Sequence, residues 1–169
     1  MRELAQLLND MRSAGVIENY ALFGAMAQMR YTEAVATLDA DVLVAVPTPE
    51  RIDVLAGIYE FCARRGFSAE GEAMKVGAWP VQFVPVFSSL TREALEQADT
   101  ADFEGTALRV VRADHLAVIA LTAGRAKDYA RILALLESSS ATRDQIASLA
   151  SRHGLADAWR RFEAKFLDE

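Results

Sequence analysis

The chain has 169 residues, 52% of them apolar and 25% charged, which suits one folded domain and excludes an intrinsically disordered chain. Its 18 Lys and Arg against 24 Asp and Glu leave a formal charge of −6, which argues against broad binding of nucleic acid or anionic membrane, both polyanions. A single cysteine, Cys62, excludes an internal disulfide, and two widely separated histidines disfavour a Cys/His zinc site.

No apolar run approaches the roughly 18 residues of a membrane span. The start, Met1-Arg2-Glu3-Leu4, lacks the apolar stretch of a secretory leader, so a cytoplasmic location is expected. Leu4, Leu7, Leu8 and Met11 recur at helical spacing, with Gly15 as the stop. Tyr20-Ala21-Leu22-Phe23 is a short apolar run ending at Gly24, which predicts a strand and then a helix from Ala25 to Arg30. Val42 to Val46 is a β-branched run closed by Pro47, the pattern of a buried strand. Thr48-Pro49 predicts an N-cap and first turn, with Ile52, Leu55, Tyr59 and Cys62 as the buried face of the helix that follows, ending at Arg64-Arg65-Gly66. From Phe67 to Phe87 the pattern is that of strands. Ala73–Val76 and Val81–Val84 flank a turn near Gly77, with Pro80 and Pro85 at strand ends, edges or bulges.

A helix over Thr91–Ala98 and a strand over Ala107–Val111 come next. The remainder is helical: Asp114–Thr122, Ala126–Glu137, a third helix opened by the Thr142-x-x-Gln145 capping box, and a fourth after Gly154. In that last helix Leu155, Ala158, Trp159 and Phe162 form the inward face. His115 is expected at a helix start on the surface, and His153 at a helix C-terminus. The expected division is an α+β core over 1–112 and a helical region over 113–169 packed on it.

The segment richest in chemistry is Thr37-Leu38-Asp39-Ala40-Asp41, running into the Val42–Val46 strand. If it is extended throughout, Asp39 and Asp41 share one face, and two like charges so placed call for a cation. Mg²⁺ is the natural one, because it prefers hard oxygen ligands and keeps water or phosphate in its shell. The alternative is a solvated turn in which both aspartates only face water. Upstream, Gly24-Ala25 ends the Tyr20–Phe23 run and opens a helix, a turn that lets phosphate approach the backbone.

Together these segments resemble the nucleotidyltransferase superfamily with the DNA-polymerase-β-like fold, and most closely the small bacterial members related to abortive-infection toxins. In that pattern a Gly-Gly or Gly-Ser turn opens a helix and a T-x-D-x-D segment follows on the next strand. A second likeness lies in Val110–Leu116 followed by Ala123-Gly124-Arg125-Ala126-Lys127-Asp128, so the resemblance spans Tyr20 to Glu137. It implies a mixed β-sheet flanked by helices, with a C-terminal helical tail. It also implies Mg²⁺-dependent transfer of a nucleotidyl group from a nucleoside triphosphate to a hydroxyl acceptor. Asp39 and Asp41 would be the catalytic metal ligands. Gly24, Ala25, Thr37, Arg125 and Lys127 would contact nucleotide, Arg125 and Lys127 by neutralising phosphate.

The chain departs from that pattern in three places. The family's third carboxylate comes from a later strand, and in Val81-Gln82-Phe83-Val84 the only polar residue is Gln82, a neutral oxygen donor. Glu70 and Glu72 on the neighbouring strand are the substitutes to consider. Ala25 replaces the second glycine or serine of the turn, and Leu116–Leu121 is wholly apolar where a lysine is often found. These losses define the alternative: a catalytically degenerate member acting as a binding or toxin–antitoxin module, with a protein partner.

Overall fold

The computed structural model describes residues 1–168, which form a seven-stranded mixed sheet with helices packed against it. The first helix, α1 (Arg2–Ser13), buries Leu4, Leu7, Leu8 and Met11 as its spacing requires. Strand β1 (Asn19–Phe23) leads through Gly24 into the short α2 (Gly24–Gln28), and β2 (Ala40–Ala45) returns antiparallel to β1 with Phe23 opposite Asp41. β3 (Ser68–Glu70), β4 (Ala73–Val76) and β5 (Trp79–Pro85) form an antiparallel meander whose last strand lies parallel to β2, with Gln82 opposite Asp41. β6 (Asp99–Phe103) and β7 (Thr106–Val110) form a hairpin on the other side, β7 running parallel to β1.

The order across the sheet is β3-β4-β5-β2-β1-β7-β6. β2 therefore sits at the centre, and its Val42, Leu43 and Val44 are fully buried, which accounts for a continuous apolar run where a half-exposed strand would alternate. Pro80 and Pro85 fall near the two ends of β5, where the ladder tolerates a missing donor.

Two predicted elements change. No helix begins at Thr48-Pro49; α3 spans Ala56–Arg64 with Leu55 as its N-cap. Ile52 is 107% exposed, so an extra turn there would find nothing to pack against, while Ile58, Phe61 and Cys62 are covered. β6 is absent from the expected elements, because Asp99-Thr100-Ala101-Asp102-Phe103 is an edge strand with no buried residue and hence no alternating pattern. It exists through its hairpin: Glu104 and Gly105 both adopt positive φ, the two-residue turn that matches strand twist.

Four further helices follow α4 (Ser89–Glu96), which a Ser88/Thr91 capping box opens. They are α5 (Ala113–Ala123), α6 (Ala126–Glu137), α7 (Arg143–Arg152) and α8 (Ala156–Phe166). The Thr142/Gln145 box opens α7 as expected, with the Gln145 amide N–H donating to Thr142 Oγ1 at 3.2 Å. α5 is the hub, touching α2, α4, α6, α7 and α8. That enclosure corrects the expectation for His115, which is 1% exposed and wedged between Asp114 and Glu93. Trp159 and Phe162 are buried and stacked at 5.3 Å, so the aromatic face of α8 points inward. Among the described residues no helix is long and apolar enough to cross a membrane.

Candidate active site

A cleft of about 890 Å³ opens where β1, β2 and β5 meet α2, α5 and α6. Its walls include Gly24, Ala25, Thr37, Asp39, Asp41, Gln82, Arg125 and Lys127, so the whole predicted residue set faces one space. Glu70 and Glu72 are not in its lining; Glu70 pairs with Lys75 at 3.3 Å on the meander, far along the sheet from β2. Neither is positioned to replace a third carboxylate.

The two aspartates reach the cleft differently. β2 begins at Ala40, so Asp41 belongs to the strand while Asp39 lies in the irregular residues leading into it. Thr37 fastens that lead-in: its Oγ1 donates to the Asp39 carbonyl at 3.0 Å. Gln82, one strand over, donates from Nε2 to Asp39 Oδ2 at 3.2 Å. Asp41 has no such donor, and burial first, then the charge of Asp39, raises its pKa above the ordinary aspartate value, partly offset by Arg131, Lys127 and Arg125. Its carboxylate lies against the backbone of Gly24. A Cβ at that glycine would meet Asp41 Oδ2 at 2.4 Å, and the φ of +67° already favours glycine. The Gly24 turn and the Asp41 carboxylate are thus parts of one arrangement.

The opposite wall comes from α6. Arg125 is its N-cap, with an exposed side chain whose Nε donates to Asp128 Oδ2 at 2.7 Å. Asp128 is 1% exposed and turned away from solvent. Burial pushes its pKa up, but hydrogen bonds and charge from Arg125, with help from Arg131, outweigh that and hold it below the ordinary value. Lys127 is left exposed on the cleft wall.

Arg131 escaped the sequence reading. Its side chain is only 14% exposed, it lines the cleft, and its Nε donates to Gln28 Oε1 on α2 at 3.0 Å. One helical turn after Lys127 it lies on the same face of α6. The available signal was the i, i+4 spacing from Lys127, which an apolar-stripe reading of α6 passes over.

The donor set suits a cation in part. Asp39 and Asp41 are hard oxygen ligands whose mutual repulsion a divalent ion would relieve, and Gln82 adds a neutral group beside them. Among the described residues no group of three or more His, Cys, Asp or Glu side chains is arranged to hold a metal ion. The set matches one Mg²⁺ completed by water and phosphate better than a pair of ions.

The central strand carries Asp41, with Asp39 two residues ahead of it and the Gly24 turn against its carboxylate, the arrangement that the sequence resemblance implies. No protein-family model matches the chain, and no curated protein matches it. Solved structures do match. One is an antigenic nucleotidyltransferase-like protein from Paracoccidioides brasiliensis, with TM-score 0.57 and 13% identity over 98% of this chain and 97% of that one. Another is the antibiotic-resistance factor ANT(2'')-Ia, with TM-score 0.51 and 12% identity over 96% and 95%. At these identities the likeness is one of fold: the chain has a nucleotidyltransferase-like fold.

Proposed function

We propose that the cleft binds a nucleoside triphosphate with Mg²⁺ and transfers its nucleotidyl group to a hydroxyl acceptor. The observation that carries this reading is the convergence of Gly24, Asp39, Asp41 and the α6 cations on one cleft in a nucleotidyltransferase-like fold. Asp39 and Asp41 would hold the ion, which when bound supplies charge neutralisation for the triphosphate and its leaving pyrophosphate. Lys127 and Arg131 set positive charge on the facing wall, Lys127 as a mobile point charge and Arg131 as a guanidinium held by Gln28. Arg125 and Asp128 fix the start of α6 and so the position of both. Gly24 admits phosphate to the backbone beside Asp41.

The test is transfer of label from each α-³²P nucleoside triphosphate, with Mg²⁺, into a cell extract. Metal-dependent labelling lost in Asp41→Asn supports transfer, and its absence with all four nucleotides counts against it.

Gln82 favours a second reading. It stands opposite Asp41, yet it supplies an amide that ties down Asp39 and neither a charge nor a base. On this reading the chain keeps the nucleotide seat but not the chemistry, and serves as a binding or toxin–antitoxin module. Nucleotide binding without any transfer distinguishes the two.

A further inference from the structure

A second cavity of about 160 Å³ opens beside the cleft, lined among others by Phe87, Ser89, Ile119, Thr122, His153 and Leu155. Phe87, Ile119 and Thr122 also line the main cleft, so the two spaces share a wall. We propose that this side cavity, between the start of α4, the end of α5 and the α7–α8 junction, is the acceptor subsite, and that it takes one uncharged, hydroxyl-bearing ring. The inference rests on the transfer reading above and adds the class of acceptor.

Size sets the first limit. An enclosed cavity of about 150 Å³ accepts a benzene ring, so the part of an acceptor seated in this open one is about a single six-membered ring or a pentose. Charge sets the second. No Asp, Glu, Lys or Arg lines the cavity. The nearby Glu93 is already engaged by Arg152 at 2.6 Å and by His153 Nε2 at 2.5 Å. A polycationic acceptor finds no lining carboxylate there, and a phosphorylated one finds neither Lys nor Arg, His153 being the one titratable group among the described lining residues and already bonded to Glu93. In the main cleft Asp39 and Asp41 are the ion's ligands and Asp128 is held by Arg125, which leaves no lining acid for a polycation either.

Hydrogen-bonding groups set the third. Ser89 Oγ lies 3.0 Å from His153 Nδ1, and Thr122 Oγ1 donates to the Ile119 carbonyl at 2.6 Å, so each hydroxyl is held in place with lone pairs to spare. Phe87 is 67% exposed on the shared wall, an apolar face against which the carbon face of a sugar ring can lie. A few placed polar groups around an apolar surface are what orient a small neutral ligand.

The test is side-chain and amide NMR of the full chain titrated with D-glucose and D-ribose, and with spermine as the polycationic probe, all with Mg²⁺ and, in turn, an analogue of each of the four nucleoside triphosphates that is non-hydrolysable at the α–β bridge. The expected result is that at least one sugar shifts the Ser89, Thr122 and Leu155 signals and spermine does not. Ser89→Phe fills the cavity, and Leu155→Phe narrows it from the other wall. Either weakens sugar binding by at least about tenfold while nucleotide affinity is unchanged. Silence from both sugars with nucleotide binding intact overturns this inference alone. Shifts that persist in both variants, or that spermine reproduces, also overturn it. Failure of all four nucleotide analogues to bind overturns the transfer reading and the acceptor assignment with it.

Discussion

Gly24→Ala separates a backbone cost from a site cost. Gly24 has a φ of +67°, and a left-handed conformation costs an L-residue roughly 1–2 kcal/mol. For a chain of this length about 1 kcal/mol corresponds to about 2–4 °C in Tm, so the substitution lowers Tm by about 2–8 °C. Gly105→Ala is the matched control: φ is +78°, no atom lies within 4 Å of its added Cβ, and it sits in the β6–β7 turn away from the cleft. It loses a similar Tm. The difference lies at Asp41, whose Oδ2 would be 2.4 Å from the new Cβ of residue 24 and must turn away. Thermal unfolding and calorimetric titration with Mg²⁺ and ATP measure both quantities on the same samples. Nucleotide affinity falls by at least about tenfold in Gly24→Ala and is unchanged in Gly105→Ala. Equal affinity in the two variants would refute the coupling between turn and carboxylate.

Asp41 is raised by burial and by Asp39, so its ionised form opposes folding, and stability is lost as pH climbs from the ordinary aspartate range through the raised value. Asp41→Asn is therefore more resistant to urea than the parent above that window and equal to it below, and Mg²⁺ narrows the gap. Asp128, Glu93 and Asp114 work in the opposite sense: burial is the largest single influence on each, but its several partners together hold it below its ordinary value. Their stabilisation is present above the ordinary carboxylate range and disappears as pH falls through the lowered values, visible as a drop in Tm on acidification. Asp128→Asn removes the charge that accepts from Arg125 and faces Arg131, and costs about 1.5–3 kcal/mol in chemical unfolding. Gln82→Asp adds a carboxylate opposite Asp41; Tm falls without metal, and the gain in Tm on adding Mg²⁺ exceeds that of the parent.

The parts of the fold legible in the sequence are those whose burial repeats along one element. Leu4, Leu7, Leu8 and Met11 announce α1, and Val42–Val44 announce the central strand, because one face or both faces are covered. β6 carried no such signal, being an edge strand that its hairpin partner creates. Ile52 misled because helical spacing says nothing about whether a neighbour exists to cover it. The cleft was legible through short local motifs, Gly24-Ala25 and Thr37-x-Asp39-x-Asp41, since neighbouring residues in the chain stay neighbours in space. Arg131 was not, because its role arises from α6 folding back against α2, a contact 103 residues apart in the Arg131–Gln28 pair. His115 was hidden for the same reason: only the packing of α4 over α5 buries it against Glu93.

The central question is whether Asp39 and Asp41 hold a metal–nucleotide complex between β2 and α6. Calorimetric titration of nucleoside triphosphate into the full chain, with and without Mg²⁺, against the Asp39→Asn/Asp41→Asn variant measures this directly. The expected result is saturable, Mg²⁺-dependent binding by the parent and its loss in a variant that remains folded by circular dichroism. Binding that ignores Mg²⁺, or that survives the double substitution, would contradict it.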